Sequence, residues 1–561
     1  MATLEKSTGL HDLLLPEAHP RSVPDNLAWA ALTRHAHRRW QLALIWETRT
    51  GSVRTSTFFE LERASNRVAN ALAQLGVGRG DRVFTLLGRT PALYTSLLGA
   101  LKLGAVVGVL FSDFGPTAIQ QRLADAGAKV LFAEATSAAK LLDARAGLPD
   151  LEHVIFVGEE ASRAARELRA ACDLGAWVLD ELLAKQPPCF SPVPVARSEA
   201  CFFVYTSGTT GPPKGVVHCH AIADQLAATA REVLALDESD LYWCTADPGW
   251  VTGLCYGIFA PWLLGCPIFV YEGEFAAERW LELLERHQIT CWYTTPTTLR
   301  RLMNWAGRRS FAEQRDFALR RIYTVGEPLG PEVIAWAEEA FGVPVYDNYW
   351  QTETGAQVIA NRPGLPVKRG SMGKAVAGAH VAVIDEQGNE LPPNVVGDIA
   401  VRPTLSSLFK GYWHLPEATR ACFRAGWYVT RDKGRRDEDG YFWFAARADD
   451  VITCEARKIG PCEVENALAT HPAVAEAAVV GVPDPVTTER VKAFVVLRPD
   501  RQPTRELAVE LAEHVEAQLS AVARPREVEF CAHLPRTNSG KVQRAKLRSA
   551  TELQGRCFVL Q

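Results

Sequence analysis

From about residue 58 to residue 400 the chain alternates helix-like and strand-like segments, and no other feature restricts its fold as much. Phe58 to Val77 (FFELERASNRVANALAQLGV) has the apolar period of an amphipathic helix, and Asp81 to Leu87 (DRVFTLL), after a G-x-G-D turn, reads as a strand. Pro91 to Gly104 reads as a second helix and Ala105 to Phe111 as a second strand. Apolar strands separated by helices need cover on both faces, so the expected class is α/β with parallel sheets. Leu93 to Phe111 is the most apolar stretch, but Lys102 and Gly104 interrupt it, which fits a helix, a glycine stop and a buried strand better than a membrane span. After about residue 370 the texture changes. His380 to Pro392 (HVAVIDEQGNELP) and Gly397 to Pro403 (GDIAVRP) look like short strands joined by D-x-x-G turns, hence a smaller β-rich unit. The last hundred or so residues read as an α+β piece, with an amphipathic helix near Arg505 to Leu519, and ARADD at 446–450 marks the boundary before it. The expected organisation is a large, multi-subdomain N-terminal region (1–448) and a small, mobile C-terminal α+β domain (449–561).

A length of 561 residues implies roughly three or four domain-sized units. The charge is nearly balanced, 61 basic against 65 acidic residues, which speaks against nucleic acid or a membrane surface as partner. Thirteen cysteines, with no C-x-x-C pair and many in apolar stretches, suit free buried thiols in a reducing, cytoplasmic compartment. The N-terminal segment carries acidic residues and a proline near its short leucine run, so no signal peptide is expected.

The strongest local signal is YTSGTTGPPKG, Tyr205 to Gly215. After a strand-like FFVY it gathers Thr206, Ser207, Gly208, Thr209, Thr210, Gly211 and Lys214. Glycines let backbone N–H groups turn toward an anion, hydroxyls add donors and the lysine adds charge, a combination suited to a triphosphate. It is not a Walker A loop, because Lys214 is followed by Gly215 rather than Ser or Thr. In DNYWQTETG (347–355), Glu353 between two threonines suits either a hard cation such as Mg²⁺ beside phosphates or a solvated loop. Asp432, after WYVT, suits either a vicinal diol or a turn cap. Lys541, in an N-S-G-K turn, reads from composition alone as an ordinary surface lysine.

The loop resembles the phosphate loop of the adenylate-forming superfamily, which includes acyl-CoA synthetases, nonribosomal-peptide adenylation domains and luciferases. Five further motifs keep that family's order: GEP at 326–328, DNYWQTETG at 347–355, GWYVTRDKGRRDEDGY at 426–441, RADD at 447–450 and LPRTNSGKVQR at 534–544. The resemblance implies roles. Glu353 matches the magnesium-binding glutamate and Thr352 an α-phosphate contact. Asp432 matches the ribose-binding aspartate, and Arg447 and Lys458 further nucleotide contacts. Gly326, Glu327 and Pro328, with Asp347, Asn348, Tyr349, Trp350 and Gln351, match the nucleotide-binding wall. Asp449 matches the hinge, and Lys541 the lysine that stabilises charge during adenylation.

WCTADPGWVTG (243–253) is similar to the corresponding stretch of acetyl- and propionyl-CoA synthetases, whose acyl pocket matches Val251, Thr252, Val325 and Trp350. An indole at Trp350 would close the pocket floor, unless it is a plain core aromatic, so the acid is expected to be short, about two to four carbons. One methylene is resolved only weakly, by roughly 1–3 kcal/mol, so acetate and propionate both stay open. The chain also departs from the family pattern. Glu455 and Ala456 replace a Ser-Gly pair bordering the tunnel for the CoA thiol, Lys458 replaces an arginine, and Arg431 and Ala446 replace small residues. A carboxylate at Glu455 would need a partner, such as Arg457 or Lys458. The expected activity is ATP- and Mg²⁺-dependent activation of a short carboxylic acid to acyl-AMP, then transfer to CoA, by a monomer or homodimer. The alternatives are transfer to a carrier protein or amine, or a medium-chain or aromatic acid as substrate.

Overall fold

The computed structural model describes residues 25–206, 213–306, 311, 315–326, 329, 331–447, 452–455, 457–459, 461–499, 501–535, 542, 544–549 and 556–560. Among these residues the strands form four sheets. The first has eight strands. Gly175–Val178, His153–Val157, Val130–Glu134, Arg82–Leu86, Val106–Val109 and Ala200–Thr206 run parallel, and Lys214–Cys219 and Gly411–Tyr412 close one edge antiparallel. The second has nine strands, with a parallel centre of Val345–Tyr349, Arg321–Thr324, Cys291–Thr294, Tyr242–Cys244, Ile268–Tyr271 and Leu42–Glu47. The expected alternation is present, and the mixed α/β class holds.

The helices follow local rules. Phe58–Gln74 opens with a capping box, Thr57 and Glu60 each satisfying the other's backbone N–H, and Pro91–Lys102 carries its proline in the first turn. Lys102, on the apolar run, is fully buried against the first of these helices. Its ammonium meets the Glu62 carboxylate at 2.7 Å, the Ser65 hydroxyl at 2.8 Å and Asn66 Oδ1 at 2.6 Å, so the charge is paired and its donors used. Among the described residues no helix is long and apolar enough to cross a membrane.

The β-rich unit expected after residue 370 is a five-stranded antiparallel sheet of Val381–Ile384, Gly397–Val401, Trp427–Arg436, Phe423–Arg424 and Phe442–Arg447. Its Asp385 turn is tied by that carboxylate, which accepts from the N–H groups of Gln387 and Asn389. From Ile452 onward the strands belong to a fourth, six-stranded sheet covered by Pro461–Ala469 and Arg505–Gln518. This C-terminal unit packs on the N-terminal body. Ala118 and Phe114 join its apolar core, and the Gly115 N–H donates to Leu519 O at 3.1 Å.

Candidate active site

The parallel strands of both large sheets aim their carboxyl ends at one cavity of about 700 Å³, where open α/β sheets place ligands. Ala200–Thr206 and Lys214–Cys219 pair so that Thr206 lies opposite Lys214, and both side chains line the cavity. These residues flank the glycine-rich loop. Ser207, Gly208, Thr209, Thr210 and Gly211 themselves lie outside the described residues, as do Glu327, Pro328, Asp449, Ala456 and Lys541.

Strand Val345–Tyr349 runs straight into the Thr352-Glu353 turn, so Asp347, Asn348, Tyr349, Trp350, Gln351, Thr352 and Glu353 all line the same cavity. The turn is fixed from behind by His218, whose Nε2 lies 2.7 Å from Thr352 O and Nδ1 3.1 Å from Ser407 O. Burial lowers His218 to about 4, so the ring is neutral and carries one proton for two carbonyls. Gly355 closes the turn at φ +68, where an added Cβ would lie 2.4 Å from Ser407 O and 2.7 Å from the His218 ring. Only glycine fits there. Glu353 is half-buried, and its Oε1 accepts a 2.7 Å hydrogen bond from the Tyr412 hydroxyl.

At the other end Asp432 is 5% exposed, and its Oδ2 accepts from Tyr349 Oη at 2.7 Å and Gln351 Nε2 at 2.6 Å. Tyr428 Oη donates to Gln351 Oε1 at 2.8 Å and so fixes which way that amide points. Arg447 stands opposite Asp432 in the strand register. Gly326, at φ +94, lies against Trp250. A Cβ there would come within 2.9 Å of the indole, so this wall admits a flat ligand only if the position stays glycine. Asp347 hydrogen-bonds to the Thr324 hydroxyl and the Asn348 N–H, and burial pushes its carboxyl up to about 8.

Between these ends Val251, Thr252, Val325 and Trp350 form a buried pocket, with Trp350 7% exposed. The indole is held edge-on to Tyr256, centroids 5.0 Å apart, and its Nε1 donates to Tyr293 Oη at 3.4 Å. An aromatic packed this firmly cannot swing aside for a longer chain.

The hairpin of Ile452–Cys454 and Arg457–Ile459 closes the cavity on the side of the C-terminal unit, and Thr453, Arg457 and Ile459 line it. Lys458 sits in this hairpin opposite Thr453. Glu455, at φ +48, finds its ion-pair partner in the body and not in Arg457. Its Oε1 accepts from Arg301 of helix Pro296–Ala306 at 2.6 Å, turning the carboxylate toward the body. Arg457 is instead taken by Asp113 at 2.9 Å and lies over the Phe111 ring. Arg301 and Asp113 reach the hairpin from the body, and each takes one of its two charges.

Sequence reading missed Trp250, His218, Tyr412 and Tyr428, and it gave Arg457 a different partner. Trp250 was recoverable, because it precedes Val251 in a stretch already singled out. Nothing local marks the others, whose partners lie far along the chain. Among the described residues no group of three or more His, Cys, Asp or Glu could cage an ion, so one carboxylate, Glu353, suits Mg²⁺ carried largely by phosphate oxygens and water.

Residues 32–413 match the family model for AMP-binding enzymes, and residues 463–541 match the model for the AMP-binding enzyme C-terminal domain. An acetyl-coenzyme A synthetase of Bacillus subtilis (strain 168) is 41% identical over 528 residues, covering 93% of this chain and 90% of that protein. One from Pyrobaculum arsenaticum is 35% identical over 562 residues, covering 93% and 82%. Among solved structures, a Brucella canis acyl-CoA synthetase is 39% identical, with a TM-score of 0.69 and 94% of each chain covered. An anthranilate CoA ligase in complex with anthranoyl-AMP is 31% identical, with a TM-score of 0.69, covering 94% of this chain and 97% of that one.

Proposed function

The chain belongs to the family of AMP-binding enzymes, and on that premise we propose that it is an AMP-forming acyl-CoA synthetase whose acid is acetate. A carboxylate oxygen of acetate attacks the α-phosphorus of ATP, and the bond to the β-phosphate breaks, releasing pyrophosphate and leaving acetyl-AMP. The CoA sulfur then attacks the acyl carbon, its proton passes to solvent, and AMP leaves. The observation that carries the reading is the single cavity in which Lys214, Glu353 and Asp432 surround the short pocket floored by Trp350.

Each residue acts by its chemistry. Lys214 and Thr206, with Ser207, Gly208, Thr209, Thr210 and Gly211, bind the phosphates through cation and N–H or O–H donors. Asp432, held by Tyr349 and Gln351, accepts from the ribose hydroxyls, with Arg447 and Lys458 completing the nucleotide contacts. Gly326, Glu327, Pro328, Asp347 and Asn348 form the adenine wall. Thr352 donates to the α-phosphate. When bound at Glu353, Mg²⁺ supplies neutralising charge on the phosphate oxygens. Val251, Thr252, Val325 and Trp350 exclude chains much longer than acetate. Lys541 stabilises the charge that builds on the attacking carboxylate and α-phosphate. The C-terminal unit (449–561) turns about Asp449 relative to residues 1–448 between the two steps, and Glu455 and Ala456 border the path of the CoA thiol. The protein works in the cytoplasm as a monomer or homodimer.

Replacing Lys541 by alanine tests the division of labour. Acetyl-AMP formation should nearly vanish while ATP still binds, and the variant should still make acetyl-CoA from preformed acetyl-AMP. Adenylation at the parental rate would remove Lys541 from the first step.

A further inference from the structure

We infer that Tyr412 is a positioning residue that sets Glu353 and Lys214 at their working separation around the metal-bound triphosphate. The inference rests on reading Glu353 as the magnesium carboxylate. Tyr412 sits on the two-residue strand Gly411–Tyr412, paired antiparallel to the strand that begins at Lys214, with Tyr412 opposite Val216. The attachment is doubled by Trp413 N donating to Gly215 O at 2.8 Å and Lys410 N to Val217 O at 2.8 Å. The Tyr412 backbone N–H is held by Thr419 Oγ1 at 2.9 Å, and its ring packs edge-on against Phe409 with centroids 5.1 Å apart. The ring therefore has little freedom.

Two charges meet on it. The hydroxyl donates to Glu353 Oε1 at 2.7 Å, and the Lys214 ammonium lies 5.2 Å from the ring centroid. A carboxylate and an ammonium on neighbouring segments attract one another, and direct pairing would withdraw both from a ligand. The tyrosine gives each a different partner on one rigid side chain: a hydroxyl donor that aims the carboxylate, and a π face that receives the cation. The second Glu353 oxygen is thereby turned in a defined direction, as a metal held by one protein carboxylate requires. Tyr412 itself touches neither nucleotide nor acid in this scheme. It acts through the two groups that do.

Three variants test this by equilibrium binding of ATP measured calorimetrically across a Mg²⁺ titration, without acetate or CoA. Tyr412→Phe keeps the ring and loses the hydroxyl. It should move the Mg²⁺ midpoint for ATP binding up by roughly tenfold and leave metal-free ATP binding close to that of the parent. Tyr412→Leu removes the ring face as well and should also weaken metal-free ATP binding. Glu353→Gln is the reference, with a midpoint shift at least as large as that of Tyr412→Phe. A purely structural tyrosine would lower the melting temperature and leave the midpoint in place. If Glu353→Gln shifts the midpoint and Tyr412→Phe does not, the inference about Tyr412 fails. If Glu353→Gln does not shift it, the reading of Glu353 fails and takes the inference with it.

Discussion

Asp347 carries an acid held largely in its neutral form by its place in the fold. Burial raises it to about 8, whereas the same carboxyl in an unfolded chain ionises near 4. Folding therefore takes up a proton between those values, and the stability this contributes, full below about pH 4, is lost as pH rises through 8. Asp347→Asn keeps the size and removes the titration. Between pH 6 and pH 9 the parent should lose stability relative to this variant, read as diverging urea midpoints, and parallel midpoints would contradict the assignment. Trp350 is the second decisive side chain. Its Tyr256 and Tyr293 supports leave it one position, so Trp350→Gly should deepen the pocket rather than let a neighbour fill it. kcat/KM for acetate should fall by about tenfold or more and that for acids of five or more carbons should rise, which a series of straight-chain acids will show. An unchanged chain-length profile would remove Trp350 from the selection.

The hairpin around Glu455 shows where sequence and structure part. A carboxylate left unpaired at this position would repel an incoming thiolate. The ion pair with Arg301 neutralises the charge and, together with Arg457–Asp113, fastens the C-terminal unit to the body where Arg457 and Ile459 frame the cavity. The Glu455 pair is about one-third exposed on each side, which makes it worth about 0.2–1 kcal/mol, or at most about fivefold in a rate. Glu455→Ser should accordingly slow the thioester step by less than about fivefold and leave acetyl-AMP formation unchanged. Arg301→Ser on top of it should add little, because the partner is already gone. Rapid-quench measurement of both steps checks this, and a large acceleration of thioester formation by Glu455→Ser would show that the carboxylate obstructs the thiol instead of fastening the units. Periodicity made the elements legible: Phe58–Gln74 and Pro91–Lys102 carry their period and their caps in consecutive residues. The supports of the site were not legible. His218 behind Thr352, Tyr412 on Glu353 and Arg301 on Glu455 are contacts between segments 59 to 154 residues apart, and no local pattern encodes them.

At the scale of the whole molecule, the two parallel sheets converge on one cavity, and several buried histidines hold the frame around it. Burial lowers His35 to about 3 and His218 and His220 to about 4. His35 and His220 accept hydrogen bonds from the Arg34 guanidinium and the Leu27 N–H, which protonation would break. A depressed histidine stabilises the fold above its unfolded value, near 6.5, and that contribution is lost as pH falls through the folded value. Each such ring loses about 2 kcal/mol between pH 6.5 and pH 5, so the urea midpoint should drop clearly from pH 7 to pH 5, and an unchanged midpoint would mean these rings are already solvated. The chemistry in the cavity is tested most directly by quantifying pyrophosphate and AMP released from MgATP over a panel of C2 to C8 and aromatic acids, with and without CoA. The predicted result is pyrophosphate release that depends on acetate, falls steeply beyond about four carbons, and turns over repeatedly with stoichiometric AMP only when CoA is present. Turnover that ignores CoA, or a preference for octanoate or benzoate over acetate, would contradict it.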